Sequence, residues 1–131
     1  MNCDIIMKDE KINILIVDDS KLARLTIKYQ LKKNNRINIA GEASNGGEAI
    51  DMYKKLKPDI VTMDLDMPIM GGVEAIEQIL LLDKEAKIVV ISAMEQKYMV
   101  DEAKEKGAQF FISKPFNDEN FKEFKKCLQL K

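Results

Sequence analysis

Histidine is absent from all 131 residues. That excludes a Ser/His or Cys/His catalytic arrangement and any zinc site with imidazole ligands. Cysteine is scarce. Cys3 and Cys127 lie near opposite ends without a close pattern, and they read as reduced thiols of a cytoplasmic protein. Neither has the neighbourhood of a nucleophile. Net charge is −1, from 21 basic and 22 acidic side chains, so bulk electrostatics favour neither nucleic acid nor an anionic membrane. The longest apolar runs are strand length, far short of a membrane span. Residues 1–11 lack the apolar region of a secretory signal and read as a short frayed leader. Internal repeats, low-complexity tracts and linkers are also missing. The expectation is a single domain over residues 12–131, with no output domain.

What is present is a globular composition, 46% hydrophobic and 33% charged, enough for one buried core. Strand and helix patterns alternate along the chain, as in βα units that build a parallel sheet. Strands are predicted at 12–17, 37–43, 59–63, 87–91 and 109–112. Ser20 suits a helix N-cap before Leu22, Leu25, Ile27 and Leu31, which are expected on a packed face. Gly47-Glu48 opens a second helix with Ala49, Ile50, Tyr53 and Leu56 as its spine, closed by Pro58. Val73, Ile76, Ile79, Leu80 and Leu81 mark a third. A fourth is expected over 95–106, stopped by Gly107. Asn117 or Asp118 caps a last helix bearing Phe121, Phe124 and Leu128. Residues 59–63 do not alternate, which argues for a central strand buried on both faces. Five such units with right-handed crossovers give an α/β, flavodoxin-like, doubly wound three-layer sandwich, for which we choose strand order 2-1-3-4-5 because it sets the first and third strands side by side.

Four apolar runs deliver chemistry at their C-terminal ends. Ile14–Val17 ends in Asp18-Asp19, Asp59–Met63 in Asp64, Ile88–Ile91 in Ser92, and Phe110–Ser113 in Lys114-Pro115. Ligands of open parallel sheets bind just outside those ends. Carboxylates brought together repel, so the site should hold a cation or have raised pKa values. Oxygen ligands without His or Cys select a hard ion, magnesium or manganese. Asp18 or Asp19 and Asp64 are the candidate ligands, with a backbone carbonyl near Asp66 as a possible third. Asp64 is then the candidate nucleophile for a phosphoryl group, with Lys114 supplying charge and Ser92 a hydrogen bond. Taken singly, these residues have plain explanations: a helix N-terminal signal, a turn cap, a strand-end hydroxyl, a loop lysine. Together at equivalent strand ends, they do not. The eight methionines read as packing.

The stretches ILIVDDS, NGGEAI, PDIVTMDLDMPIMGG, ISAM and FFISKPF closely resemble the receiver domain of bacterial two-component response regulators. KPDIVTMD and SAMEQKYMVDEA look most like the CheY-like chemotaxis type. The resemblance implies that Asp64 is the phosphorylated aspartate and that Asp18 and Asp19 organise magnesium, with the Asp66 main-chain carbonyl completing the coordination. It implies that Ser92 moves to bond the phosphoryl group, that Lys114 pairs with phosphate, that the Lys114–Pro115 bond is cis, and that Phe111 is the aromatic switch. Phe111 lacks the phenolic hydroxyl common there, and Gly71 replaces the polar residue that often precedes Gly72. Asp66 and Met94 flank the site where side chains control water entry and so tune phosphate lifetime.

The implied partners are a histidine kinase in trans, which supplies the phosphohistidine this chain lacks, and a protein target. The target would meet the surface of the fourth helix, fifth strand and last helix, and is either a flagellar motor switch or another chemotaxis component. Tyr98, Met99 and Val100 are candidate contacts there. No enzyme activity is expected beyond self-phosphorylation and autodephosphorylation. A phosphorelay intermediate is the rival role. A metal-dependent phosphohydrolase is the alternative of another class, since Asp66 lies two residues beyond Asp64, although Asp18-Asp19 and Lys114-Pro115 fit it poorly. A flavin module would need a phosphate-cradling loop where this chain has two carboxylates.

Overall fold

The computed structural model describes residues 11–127. The expected leader, apart from Lys11, and the expected helix-face residue Leu128 lie outside the described residues. The strands are β1 (Ile12–Val17), β2 (Ile37–Ala43), β3 (Ile60–Met63), β4 (Ile88–Ser92) and β5 (Phe110–Ser113). The helices are α1 (Lys21–Leu31), α2 (Gly46–Leu56), α3 (Gly72–Leu82), α4 (Lys97–Glu105) and α5 (Asp118–Cys127). One parallel sheet runs in the order β2-β1-β3-β4-β5, the flavodoxin-like arrangement expected.

The period-2 alternation of the strands separates two cores. Leu15, Val17, Val61, Met63 and Val90 face Ala49 and Tyr53 of α2, Ala75, Ile76 and Ile79 of α3, and Ala103 of α4. Ile14, Ile16, Ile60, Val89, Ile91 and Ile112 face Ile27 and Leu31 of α1 and Phe121 and Phe124 of α5. Phe116 meets Phe121 and Phe124 edge-on, with ring centroids 6.1 and 5.6 Å away, a favoured aromatic geometry. All four residues of β3 are buried, as its lack of alternation predicts.

Helix faces are where sequence and structure part. Ile27 and Leu31 pack, but Leu22 and Leu25 are 73% and 48% exposed. α1 begins after its cap, Ser20, whose hydroxyl accepts from the Ala23 N–H (3.1 Å). Ala23, Arg24, Ile27, Gln30 and Leu31 then turn inward, while Leu22, Leu25 and Tyr29 form an outer stripe at i, i+3, i+7. Leu81 is likewise exposed, two positions past Ile79 and off the buried Ile76 and Ile79 face. The expected 95–106 helix is divided into a 3₁₀ turn, Met94–Gln96, and α4. Asn117 is the cap of α5, its side chain accepting from the Asn120 N–H (2.9 Å). Gly107, at φ +112, ends α4 in the left-handed region that glycine tolerates best.

Strand pairing positions the chemistry. Val17 pairs with Met63, and the Asp64 N–H donates to the Val17 carbonyl (2.9 Å), so Asp18 and Asp64 leave adjacent strands side by side. Ser92 pairs with Ser113, and the Lys114 N–H donates to the Ser92 carbonyl (2.8 Å). The second pair of groups therefore stands beside the first.

Candidate functional site: a carboxylate pocket at the strand ends

Carboxylate oxygens of Asp18, Asp19 and Asp64 lie within 4.8 Å of one another. Asp18 and Asp64 are buried (1% and 3% exposed), and Asp19 is exposed. The Lys114 ammonium enters from β5, 2.9 Å from Asp18 Oδ2 and 3.4 Å from Asp64 Oδ1. Burial pushes the Asp64 carboxyl above its ordinary range, and the Asp18 charge adds to the effect, while Lys114 and Gln96 oppose it. At Lys114 burial works against the ammonium. The hydrogen bond to Asp18 and the charges of Asp64 and Asp18 overcome that and raise its pKa. Two or three acidic oxygens held against one partly exposed ammonium form an electron-rich, oxygen-only donor set. Such a set fits a hard divalent cation of the magnesium class.

The loop after β3 folds back over Asp64. A Cβ on Gly72 would lie 2.0 Å from the Asp64 carbonyl oxygen and 2.8 Å from Leu65 Cα, so only glycine allows this approach. The Gly72 N–H donates to the Leu65 carbonyl (2.9 Å). Gly71 caps α3 without a side-chain hydrogen bond. Ile69 stands at φ +70 at the centre of a three-residue turn closed from the Met70 N–H to the Pro68 carbonyl (2.7 Å). It is 91% exposed. A β-branched residue in that region is strained.

The remaining sequence-predicted residues surround the pocket. Ser92 is buried at the end of β4. Asp66 is exposed on the β3–α3 loop, and Met94 is 87% exposed on the 3₁₀ turn. Phe111 is half-buried against the α4 side of the sheet, with Lys104 Nζ 5.5 Å from its ring centroid. Tyr98 is exposed, whereas Met99 and Val100 pack against the core. The Lys114–Pro115 peptide is cis.

Three positions escaped the sequence reading. Gln96, only 9% exposed, donates from Nε2 to Asp64 Oδ1 (3.1 Å), and its Oε1 accepts from the Ala93 N–H (2.9 Å). Arg24 donates to the Asp18 main-chain carbonyl and to Glu42 (2.9 Å). Asn120 donates to the Ser113 (2.7 Å) and Pro115 carbonyls, fixing the chain on both sides of Lys114. A Gln three residues after a turn start is half of a capping-box signal, so the Ala93 contact was within reach. The contact with Asp64 was not, because it depends on where α4 docks.

Residues 14–125 match the response regulator receiver domain family, and this chain belongs to that family. It is 52% identical over 103 residues to the chemotaxis protein CheY of Thermotoga maritima, covering 79% of this chain and 85% of the relative. It is 49% identical over 105 residues to Protein CcdB of Bacillus subtilis, covering 80% and 87%. Among solved structures it is similar to a chain of the CheX–CheY–BeF3–Mg complex from Borrelia burgdorferi, with TM-score 0.81, 32% identity and 90% of both chains covered. The similarity to CheY supports a chemotaxis-type response regulator.

Proposed function

We propose that this protein is a phospho-switch, accepting a phosphoryl group on Asp64 from the phosphohistidine of a kinase and changing its affinity for a chemotaxis target. The observation that carries this reading is the convergence of Asp18, Asp19 and Asp64 within 4.8 Å, with Lys114 bonded to two of them. An Asp64 carboxylate oxygen attacks phosphorus, an O–P bond forms, and the P–N bond to the donor imidazole breaks. Asp18, Asp19, Asp64 and the Asp66 main-chain carbonyl would hold magnesium, or manganese in its place. When bound, that ion supplies charge neutralisation for the phosphoryl oxygens. Lys114 exchanges part of its carboxylate contact for a phosphoryl oxygen, and the Ser92 hydroxyl donates to another. As Ser92 moves, Phe111 turns inward into the space left behind. Its ring makes no hydrogen bond there, so its position is set by packing alone. Asp66 and Met94, exposed at the mouth, control water reaching the acyl phosphate and hence its lifetime.

The output surface is α4, β5 and α5, where Tyr98 is exposed and Lys104 covers Phe111. The partner is a flagellar motor switch or another chemotaxis component, and the setting is the cytoplasm. Among the described residues no helix is long and apolar enough to cross a membrane. The chain's own chemistry is confined to self-phosphorylation and autodephosphorylation. The test is phosphotransfer from a chemotaxis kinase with and without magnesium. Hydroxylamine-sensitive label on the wild type, lost in Asp64→Asn and in EDTA, is expected. Equal label on Asp64→Asn would overturn the assignment.

A further inference from the structure

The Asp64 carboxylate is already engaged on the oxygen that faces α4. Gln96 Nε2 and Lys114 Nζ both converge on Oδ1, at 3.1 and 3.4 Å. The two donors differ in what they are tied to. Lys114 reaches in on a flexible stem, and its ammonium has a second partner in Asp18 Oδ2 (2.9 Å), so it can swing between acceptors. Gln96 is fixed at both ends. Its Oε1 accepts from the Ala93 N–H (2.9 Å), and its own N–H donates to the Ala93 carbonyl (3.0 Å). It also closes the Met94–Gln96 turn and directly precedes Lys97, the first residue of α4. The hydrogen bond therefore links the carboxylate to the first turn of α4 through one short side chain.

Building on the phosphoacceptor reading, we infer that Gln96 is a positioning residue: a latch that holds the 3₁₀ turn and α4 against unphosphorylated Asp64 and is released when that carboxylate is esterified. Conversion to an acyl phosphate takes the negative charge off Asp64. Oδ1, the oxygen beside the phosphate-pairing Lys114, is the one that bonds phosphorus; it then becomes a poor acceptor, and the space beside it is filled. A charge-assisted hydrogen bond is about twice as strong as a neutral one, so its loss removes much of what fixes the turn. The amide cannot follow the charge outward without giving up Ala93, whose N–H lies one residue after Ser92. Release of the latch and movement of Ser92 thus act on one segment, and the element they free is α4. The latch biases a two-state element toward rest, and the phosphoryl group reverses that bias.

Two substitutions separate this role from simple capping of the turn. Gln96→Leu removes both side-chain hydrogen bonds. Gln96→Glu retains an acceptor for the Ala93 N–H but turns a carboxylate, rather than a donor, toward Asp64. Amide NMR spectra of the wild type and both variants are recorded free and during titration with beryllofluoride in magnesium. The expected result is that, in both free variants, resonances of residues 92–105 lie displaced toward their positions in the beryllofluoride-bound wild type. Gln96→Leu should also bind beryllofluoride about 10- to 100-fold more tightly, the scale of one hydrogen bond to a charged group. Wild-type spectra in Gln96→Glu, with or without a shift in Gln96→Leu, would leave Gln96 a turn cap and overturn the latch. So would a beryllofluoride affinity of Gln96→Leu within twofold of wild type. If the wild type itself fails to bind beryllofluoride, the phosphoacceptor reading falls first.

Discussion

Asp64 is held where a carboxylate is least comfortable, buried and next to Asp18. Its raised pKa means that ionising this carboxyl costs more in the folded protein than in the unfolded chain. As pH rises through the ordinary aspartate range near about 4, the unfolded chain ionises first, and metal-free stability falls until the folded-state pKa is passed. Asn has no such penalty. Asp64→Asn in EDTA should therefore be more stable at neutral pH, by on the order of 1 kcal/mol, and urea melts should show the gap closing below about pH 4. Magnesium should raise the melting temperature of the wild type far more than that of the variant, because ligand binding to the native state alone stabilises it. Ile69 is strained at φ +70 and buries almost nothing. Ile69→Gly should gain about 1 kcal/mol in chemical denaturation. A loss there would show that its side chain packs in a way that the exposed position does not explain.

At the scale of elements, the acidic loop after β1 is braced from α1 and β2. Arg24 bonds the Asp18 carbonyl and Glu42, and Lys28 lies 2.6 Å from the same Glu42. Chiefly through the hydrogen bond to Lys28, with Arg24 adding to it and burial opposing, the Glu42 carboxyl is held below its usual range. A depressed carboxylate contributes stability above its unfolded pKa and loses it as pH falls through the lower folded value. Glu42→Gln should cost about 0.5–1 kcal/mol at pH 7 in low salt, less at high salt because the group is one-third exposed. The difference from wild type should vanish in acid. A pH-independent difference would point to packing. α5 is braced differently, with Asn120 tying it to the chain around Lys114 and Asp118 linked to Gln30 (3.1 Å) and Lys33 (2.7 Å) of the α1 region.

On the scale of the whole molecule, the sheet divides the core into two clusters of buried side chains. Phe124 is fully buried and touches both Phe116 and Phe121. Phe124→Ala should cost about 3–5 kcal/mol, a large fraction of the total stability of a domain this size. It should lower the urea midpoint of both halves in one transition, as followed by far-UV dichroism and by NMR. Separate transitions for the α1/α5 and α2/α3/α4 sides would show that the sheet does not couple them. The outer surface carries a second feature, the exposed stripe of Leu22, Leu25 and Tyr29 on α1.

Local chemistry made much of this protein legible in its sequence. Strand identity and the placing of Asp18, Asp19, Asp64, Ser92 and Lys114 on one edge followed from apolar runs that each end in a reactive group, because in a parallel sheet all such ends lie together. The strand order that makes Asp18 and Asp64 neighbours was a choice that the structure bears out. The cap at Ser20 and the stop at Gly107 followed from backbone preferences that act within a few residues. Tertiary structure alone decided the rest. Which leucines of α1 are buried depends on helical phase against the sheet, and hydrophobicity could not separate Leu22 from Leu31. The approach of Gly72 to Asp64 and the contacts of Arg24, Asn120 and Gln96 join segments set by packing rather than by spacing. A side chain that reaches its partner across a fold leaves no period in the chain to be read.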